Sequence, residues 1–117
     1  MLYVKRWDEL PEVEVLPNNF RVSMAGLKVG INRIRWEHPT GAPQHHHDDA
    51  EQVIIVLEGR MRWTIDGEET ILKPGDVAVI PVGVSHSGES LGEPASFYEV
   101  FAPLRVQNLI GFVGKIF

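Results

Sequence analysis

Short apolar runs with a period of two, cut at close intervals by eleven glycines and eight prolines, constrain what this chain can fold into. Met61, Trp63 and Ile65 alternate with Arg60, Arg62 and Thr64, and Asp66-Gly67 then supplies a tight hairpin turn. Thr70-Ile71-Leu72 returns, Lys73-Pro74-Gly75-Asp76 turns again, and residues 77–80 read as the next strand. Residues 53–57 are apolar at every position, as in a strand covered on both faces. Residues 97–102 form a late strand. Leu27, Val29 and Ile31 alternate with other residues, and the apolar parity then shifts to Ile34 and Trp36, which predicts a bulge near Asn32 and Arg33. About eight strands at this spacing predict an all-β double-sheet barrel or sandwich. Leu109, Ile110, Phe112, Val113, Ile116 and Phe117 have helix-like spacing, weakened by Gly111 and Gly114, so a short C-terminal helix is a further expectation.

A chain of 117 residues fits one domain, 1–117, with a single core. There is no cysteine, which excludes disulfides, thiolate metal sites and thiol nucleophiles. A net charge of −5 argues against a nucleic-acid partner. No apolar run approaches a membrane span, and residues 1–10 carry charges where a signal peptide needs an apolar stretch. A cytoplasmic location is therefore the default expectation.

Five histidines occur, at 38, 45, 46, 47 and 86. In a strand, side chains at i and i+2 share a face, so His45 and His47 can hold one metal ion while His46 points away. Imidazole suits Zn, Cu, Fe and Ni. Gln52 follows five residues after His47. His86 lies far along the chain, behind a Pro81-Val82-Gly83 turn that could aim it inward. A solvated loop is the competing reading of three adjacent histidines beside Asp48-Asp49. The wider pattern bears on that choice. Gly41 opens a stretch that carries His45, His47, Glu51 and Gln52 and closes at Gly59. Gly75 opens a second one that runs through Pro81-Val82-Gly83 to His86.

These two stretches resemble the paired motifs of the cupin superfamily. In that pattern a glycine, a His-X-His pair and an acidic or amide ligand are followed by a glycine and Pro-X-Gly-X-X-His. Ser90 stands where the second motif usually ends in Asn. The resemblance implies a cupin double-stranded β-helix (a jelly-roll barrel) with a divalent transition metal, Ni, Zn, Fe or Mn, held by His45, His47, His86 and a fourth ligand. Counting back from Gly59, the fourth position falls on Gln52. Parity agrees, because Gln52 shares a face with Ile54 and Val56, and a slip to Glu51 would reverse the whole strand. Three imidazoles and an amide leave the ion's charge uncompensated, which favours an anionic or hydroxyl-bearing ligand.

The late strand carries Glu99, Phe101 and, beyond it, Arg105. An acid two residues from an aromatic on one strand face is either a solvated edge or a functional group. Here the chain is similar to the pectin-degradation cupins, which carry His-X-His, Gln, His and then Asp-X-Phe-X-X-X-Arg, and open the ring of 4,5-unsaturated uronates. Glu99 stands where that subgroup has Asp. The resemblance implies a metal-dependent isomerase of carbohydrate metabolism, with Glu99 as catalytic proton carrier. Phe101 and Arg105 would bind a small anionic sugar derivative, and the protein would be a homodimer. Two other classes remain: a metal-dependent dioxygenase of a small organic substrate, and a small-molecule or sugar-binding cupin without catalysis. Arg60 and Arg62 are expected on the outer face. Arg21, Arg33 and Arg35 are undecided, and Trp7, Trp36 and Trp63 are expected in the core or an interface.

Overall fold

A computed structural model describes residues 3–105. The alternating runs become ten strands: β1 (Val13–Leu16), β2 (Asn19–Ala25), β3 (Gly30–Trp36), β4 (Gly41–His45), β5 (Glu51–Glu58), β6 (Met61–Ile65), β7 (Glu68–Leu72), β8 (Val77–Ile80), β9 (His86–Ser90) and β10 (Ala95–Ala102). They form a six-stranded sheet, ordered β1-β2-β3-β10-β5-β8, and a four-stranded one, ordered β4-β9-β6-β7. Every pairing is antiparallel. This is the double-sheet all-β architecture that the spacing implies. A 3-10 turn at Trp7–Glu9 precedes the strands, with Trp7 stacked on Tyr98. The expected C-terminal helix falls outside the described residues. Among those described, no helix is long and apolar enough to cross a membrane.

The β6–β7 hairpin turns at Asp66 and Gly67, both at positive φ (52° and 78°). That backbone is costly for most residues and favours Asp-Gly. Gly59 (φ 72°) has a second constraint: a Cβ there would collide with the carbonyl of Pro94, so only glycine lets the end of β5 pass the start of β10.

The anticipated bulge at Asn32 and Arg33 is absent. β3 keeps an unbroken register with both β2 and β10. Its buried positions are Gly30, Asn32, Ile34 and Trp36, all of one parity. The apparent shift came from Asn32, a polar residue on the buried face, and from Leu27 and Val29, which are exposed ahead of the strand.

The core lies between the sheets at one end. Trp36 and Trp63 stack at 5.8 Å, and Phe97 meets Trp36 edge-on at 5.1 Å. Ile34, Ile54, Val56, Met61, Leu72 and Ile80 close round them. Aromatic pairs of this geometry add ~0.5–1.5 kcal/mol each beyond their area burial. In β5 only the even residues are fully buried; Val53, Ile55 and Leu57 on the other face are half-covered.

Candidate metal centre

His45 ends β4 and His86 begins β9, and the two are direct cross-strand partners. Their rings lie 4.2 Å apart. His47, two residues past His45 and already outside the strand, brings its ring to 4.8 Å from His45 and 5.1 Å from His86. One nitrogen of each falls within 4.8 Å of the others. His46 points out to Asp48 at 3.5 Å.

Second partners fix which nitrogen is presented. The Nδ1–H of His45 donates to the Pro43 carbonyl at 2.6 Å, and that of His86 to the Val84 carbonyl at 3.0 Å. Each ring therefore leaves its Nε2 as the nitrogen available to the cluster. Nε2 of His86 and both nitrogens of His47 are buried without a hydrogen-bond partner. Burial, then the charge of Arg105, lowers the His47 pKa from 6.5 to about 3, and burial lowers that of His86 as well. Three imidazoles, at least two of them held neutral and turned toward a common point, fit a divalent metal ion.

The six-stranded sheet faces this cluster with polar groups. Gln52 on β5 is fully buried, whereas Glu51 is exposed, as parity required. Its Nε2 donates to Oε2 of Glu99 on β10 at 2.8 Å, while its Oε1 is buried with no partner. Phe101 meets His47 edge-on at 5.3 Å. The Arg105 guanidinium lies 5.6 Å from the Phe101 ring and is itself buried. All seven residues singled out from the sequence thus converge at one end of the barrel.

Three further residues belong here that sequence reading missed or left undecided. Asn32 donates from Nδ2 to Oε1 of Glu99 at 3.4 Å. Asp49, read as a solvated neighbour of the histidines, accepts from Nε of Arg105 at 3.0 Å. Arg21 is buried on the inner face of β2, opposite Ile34 of β3, within electrostatic reach of both Glu99 and Arg105. Burial is the main cause of its lowered pKa. Arg33 and Arg35 take the opposite parity, and Arg35 pairs outside with Glu12 and Glu37. Arg60 and Arg62 also lie outside, paired with Glu93 and with Glu69 and Glu89.

A family profile described as a cupin domain matches residues 34–101. Over 69 residues the chain is 35% identical to the pectin degradation protein KdgF of Dickeya dadantii, covering 59% of this chain and 62% of that one. Over 45 residues it is 47% identical to a quercetin 2,3-dioxygenase of Bacillus subtilis, covering 38% of this chain and 13% of that one. Each alignment spans less than two thirds of the relative's length. The solved structure of KdgF from Halomonas sp. superposes with a TM-score of 0.82 at 23% identity, covering 87% of this chain and 94% of that one. An RmlC-like cupin from Shewanella frigidimarina gives 0.85 at 18% identity, covering 92% and 96%.

Proposed function

This chain belongs to the cupin-domain family, and from that premise we infer that it opens the ring of a 4,5-unsaturated uronate to a linear keto-uronate. The observation that carries this reading is the arrival of a carboxylate, a phenyl ring and a guanidinium, Glu99, Phe101 and Arg105, beside the three histidines. Nε2 of His45 and His86, a ring nitrogen of His47 and Oε1 of Gln52 would hold a divalent ion of Ni, Zn, Fe or Mn. When bound, the ion supplies Lewis acidity toward a substrate hydroxyl or carboxylate, undiluted by any anionic ligand.

The chain's own groups do the rest. Arg105, braced by Asp49, clamps the substrate carboxylate with its planar fork. Phe101 walls the sugar face. Glu99 takes the proton of the anomeric hydroxyl as the bond between the anomeric carbon and the ring oxygen breaks, and delivers it to the far carbon of the double bond. HO–C–O–C=C thereby becomes an aldehyde O=C and a ketone O=C–CH with no redox change. The named relative KdgF supports the substrate class. Ion-loaded protein incubated with unsaturated galacturonate is expected to remove the conjugated absorbance, and His45→Ala to abolish that loss; no difference between the two overturns the reading.

A second reading, oxygen chemistry on a small organic substrate, draws on the local identity with the quercetin dioxygenase. Oxygen uptake on adding a flavonol or diketone would favour it. Ion and ligand binding without turnover of either substrate would leave a binding protein.

The outer face of β5 and its neighbours supports a homodimer. Val53 and Ile55 pair with Val79 and Val77 on one side and with Val100 and Tyr98 on the other. Val77 and Val79 are more than half exposed. Val79→Lys is expected to shift the protein to monomer in sedimentation; an unchanged mass would remove this face from consideration.

A further inference from the structure

Side chains of four neighbouring strands, β2, β3, β10 and β5, are joined in series on the inner face. Ser23 Oγ and Asn32 Oδ1 are 2.7 Å apart, and Asn32 Nδ2 donates to Glu99 Oε1 at 3.4 Å. Gln52 Nε2 donates to Glu99 Oε2 at 2.8 Å. Ser23 and Asn32 are direct cross-strand partners, as are Asn32 and Glu99. Glu99 and Gln52 are diagonal neighbours, since Glu99 faces Ile54 and Phe101 faces Gln52.

The direction of these bonds has a chemical consequence. A carboxylate only accepts, whereas a primary amide has a donor end and an acceptor end of nearly equal size. Contact with Glu99 therefore takes up the NH₂ of Gln52 and leaves Oε1 buried and without a hydrogen-bond partner. The Gln52 amide also adjoins His47. Reversed, it would present two N–H donors to a cation and set its oxygen against the Glu99 carboxylate. Neither arrangement is favourable in a buried site.

We propose that Glu99, held from behind by Asn32 and Ser23, is the orientation lock of the Gln52 amide, and that this lock makes a neutral fourth ligand fit for a cation. Asn32 and Ser23 are positioning residues. The inference rests on the reading of His45, His47, His86 and Gln52 as an ion site. It does not depend on the uronate reaction.

The test is titration of the metal-free protein with Co²⁺, read by visible absorption and by competition with a chelator. A glutamine at 99 can offer either end, so Glu99→Gln is expected to lower Co²⁺ affinity by ~10–100-fold, the usual effect of losing a group that orients a ligand. Asn32→Ala should lower it less. The exchange variant Gln52→Glu/Glu99→Gln returns an acceptor to the ion and a donor behind it, and should restore affinity to the native level or above. A carboxylate at 52 attracts Co²⁺ by its charge alone, so the rescue is a necessary outcome of the lock. The readout that a merely structural role would not move is the Co²⁺ absorption spectrum of Glu99→Gln, which changes when an amide oxygen leaves the donor set. Should Glu99→Gln fail to fold, the exchange variant and Asn32→Ala carry the test.

Native affinity in Glu99→Gln, or an exchange variant no tighter than Glu99→Gln, overturns the lock. Where Glu99→Gln does not fold, an exchange variant weaker than native or native affinity in Asn32→Ala does so. Native protein that takes up no Co²⁺ overturns the ion site and the lock together. Native protein that binds Co²⁺, loses affinity with Glu99→Gln and leaves unsaturated galacturonate untouched supports the lock and sinks the ring-opening reading alone.

Discussion

Along β10, the step from Phe97 to Glu99 separates two environments of opposite energetics. Phe97 packs with Trp36, Trp63, Ile34 and Ile54 in an apolar end where burial stabilises the fold. Glu99, two residues on and on the same face, is bonded to Gln52 and Asn32 in an end that also holds Arg21, Arg105 and three histidines. The same three strands cross both ends. β3 runs from Asn32 to Trp36, β5 from Gln52 to Val56, and β10 from Glu99 back to Ala95. One end is organised for stability. Both ends bury polar atoms without partners, but those of Trp36 and Trp63 are indole N–H groups that cannot bind a cation, whereas the nitrogens of His47 and His86 and Oε1 of Gln52 carry lone pairs that can.

That contrast can be broken experimentally. The largest effect belongs to the apolar end: Phe97→Ala should lower unfolding free energy by ~3–5 kcal/mol in chemical denaturation and leave Co²⁺ binding intact under conditions where the protein is folded. A loss below that of an exposed residue would mean the aromatic cluster is not the core.

Acid should act on the other end. His47 is held near 3 in the folded chain against 6.5 when unfolded. Below about pH 6.5 the unfolded chain therefore binds a proton that the folded chain refuses. Stability of the metal-free protein should fall as pH drops from 6.5 toward 3 and be insensitive to this group above 6.5. His86 shifts in the same direction. Denaturation midpoints at a series of pH values should show the decline, and His47→Leu should flatten it. Parallel declines would assign it elsewhere.

At neutral pH, His47→Leu is a smaller test of opposite sign. It removes two buried, unpartnered nitrogens, so the metal-free protein should gain ~1 kcal/mol while losing Co²⁺ binding. A destabilisation as large as that of Phe97→Ala would erase the distinction between the two ends. Smallest of all is Arg62→Ala on the outer face, where ion pairs to Glu69 and Glu89 are solvent-screened. Its melting temperature should match the native protein.

Much of the site was legible because a strand's period is fixed. Parity chose Gln52 over Glu51, and the alternation expected of His45, His46 and His47 is also found, although β4 itself ends at His45. The turn residues Asp66-Gly67 marked their hairpin by their own backbone preferences. The cupin resemblance then drew attention to Glu99, Phe101 and Arg105, which the fold brings to the same end.

Alternation of hydrophobicity was a poorer guide where the buried face turns polar. Asn32 broke the apolar pattern and suggested a bulge, although the backbone there is regular. Arg21, Arg33 and Arg35 are chemically alike in the sequence. Only the register of β2 opposite Ile34 puts Arg21 inside, and the opposite parity of β3 puts the other two outside. Asp49 gained its partner Arg105 from 56 residues away. The sequence by itself determined the all-β character, the strands that became β3, β5 to β8 and β10, the Asp66-Gly67 turn and which histidines can share a face, because those are properties of neighbouring bonds; β1, β2, β4 and β9 emerge only in the fold. Only the tertiary structure decided which polar groups meet inside, because that depends on how distant strands are registered against one another.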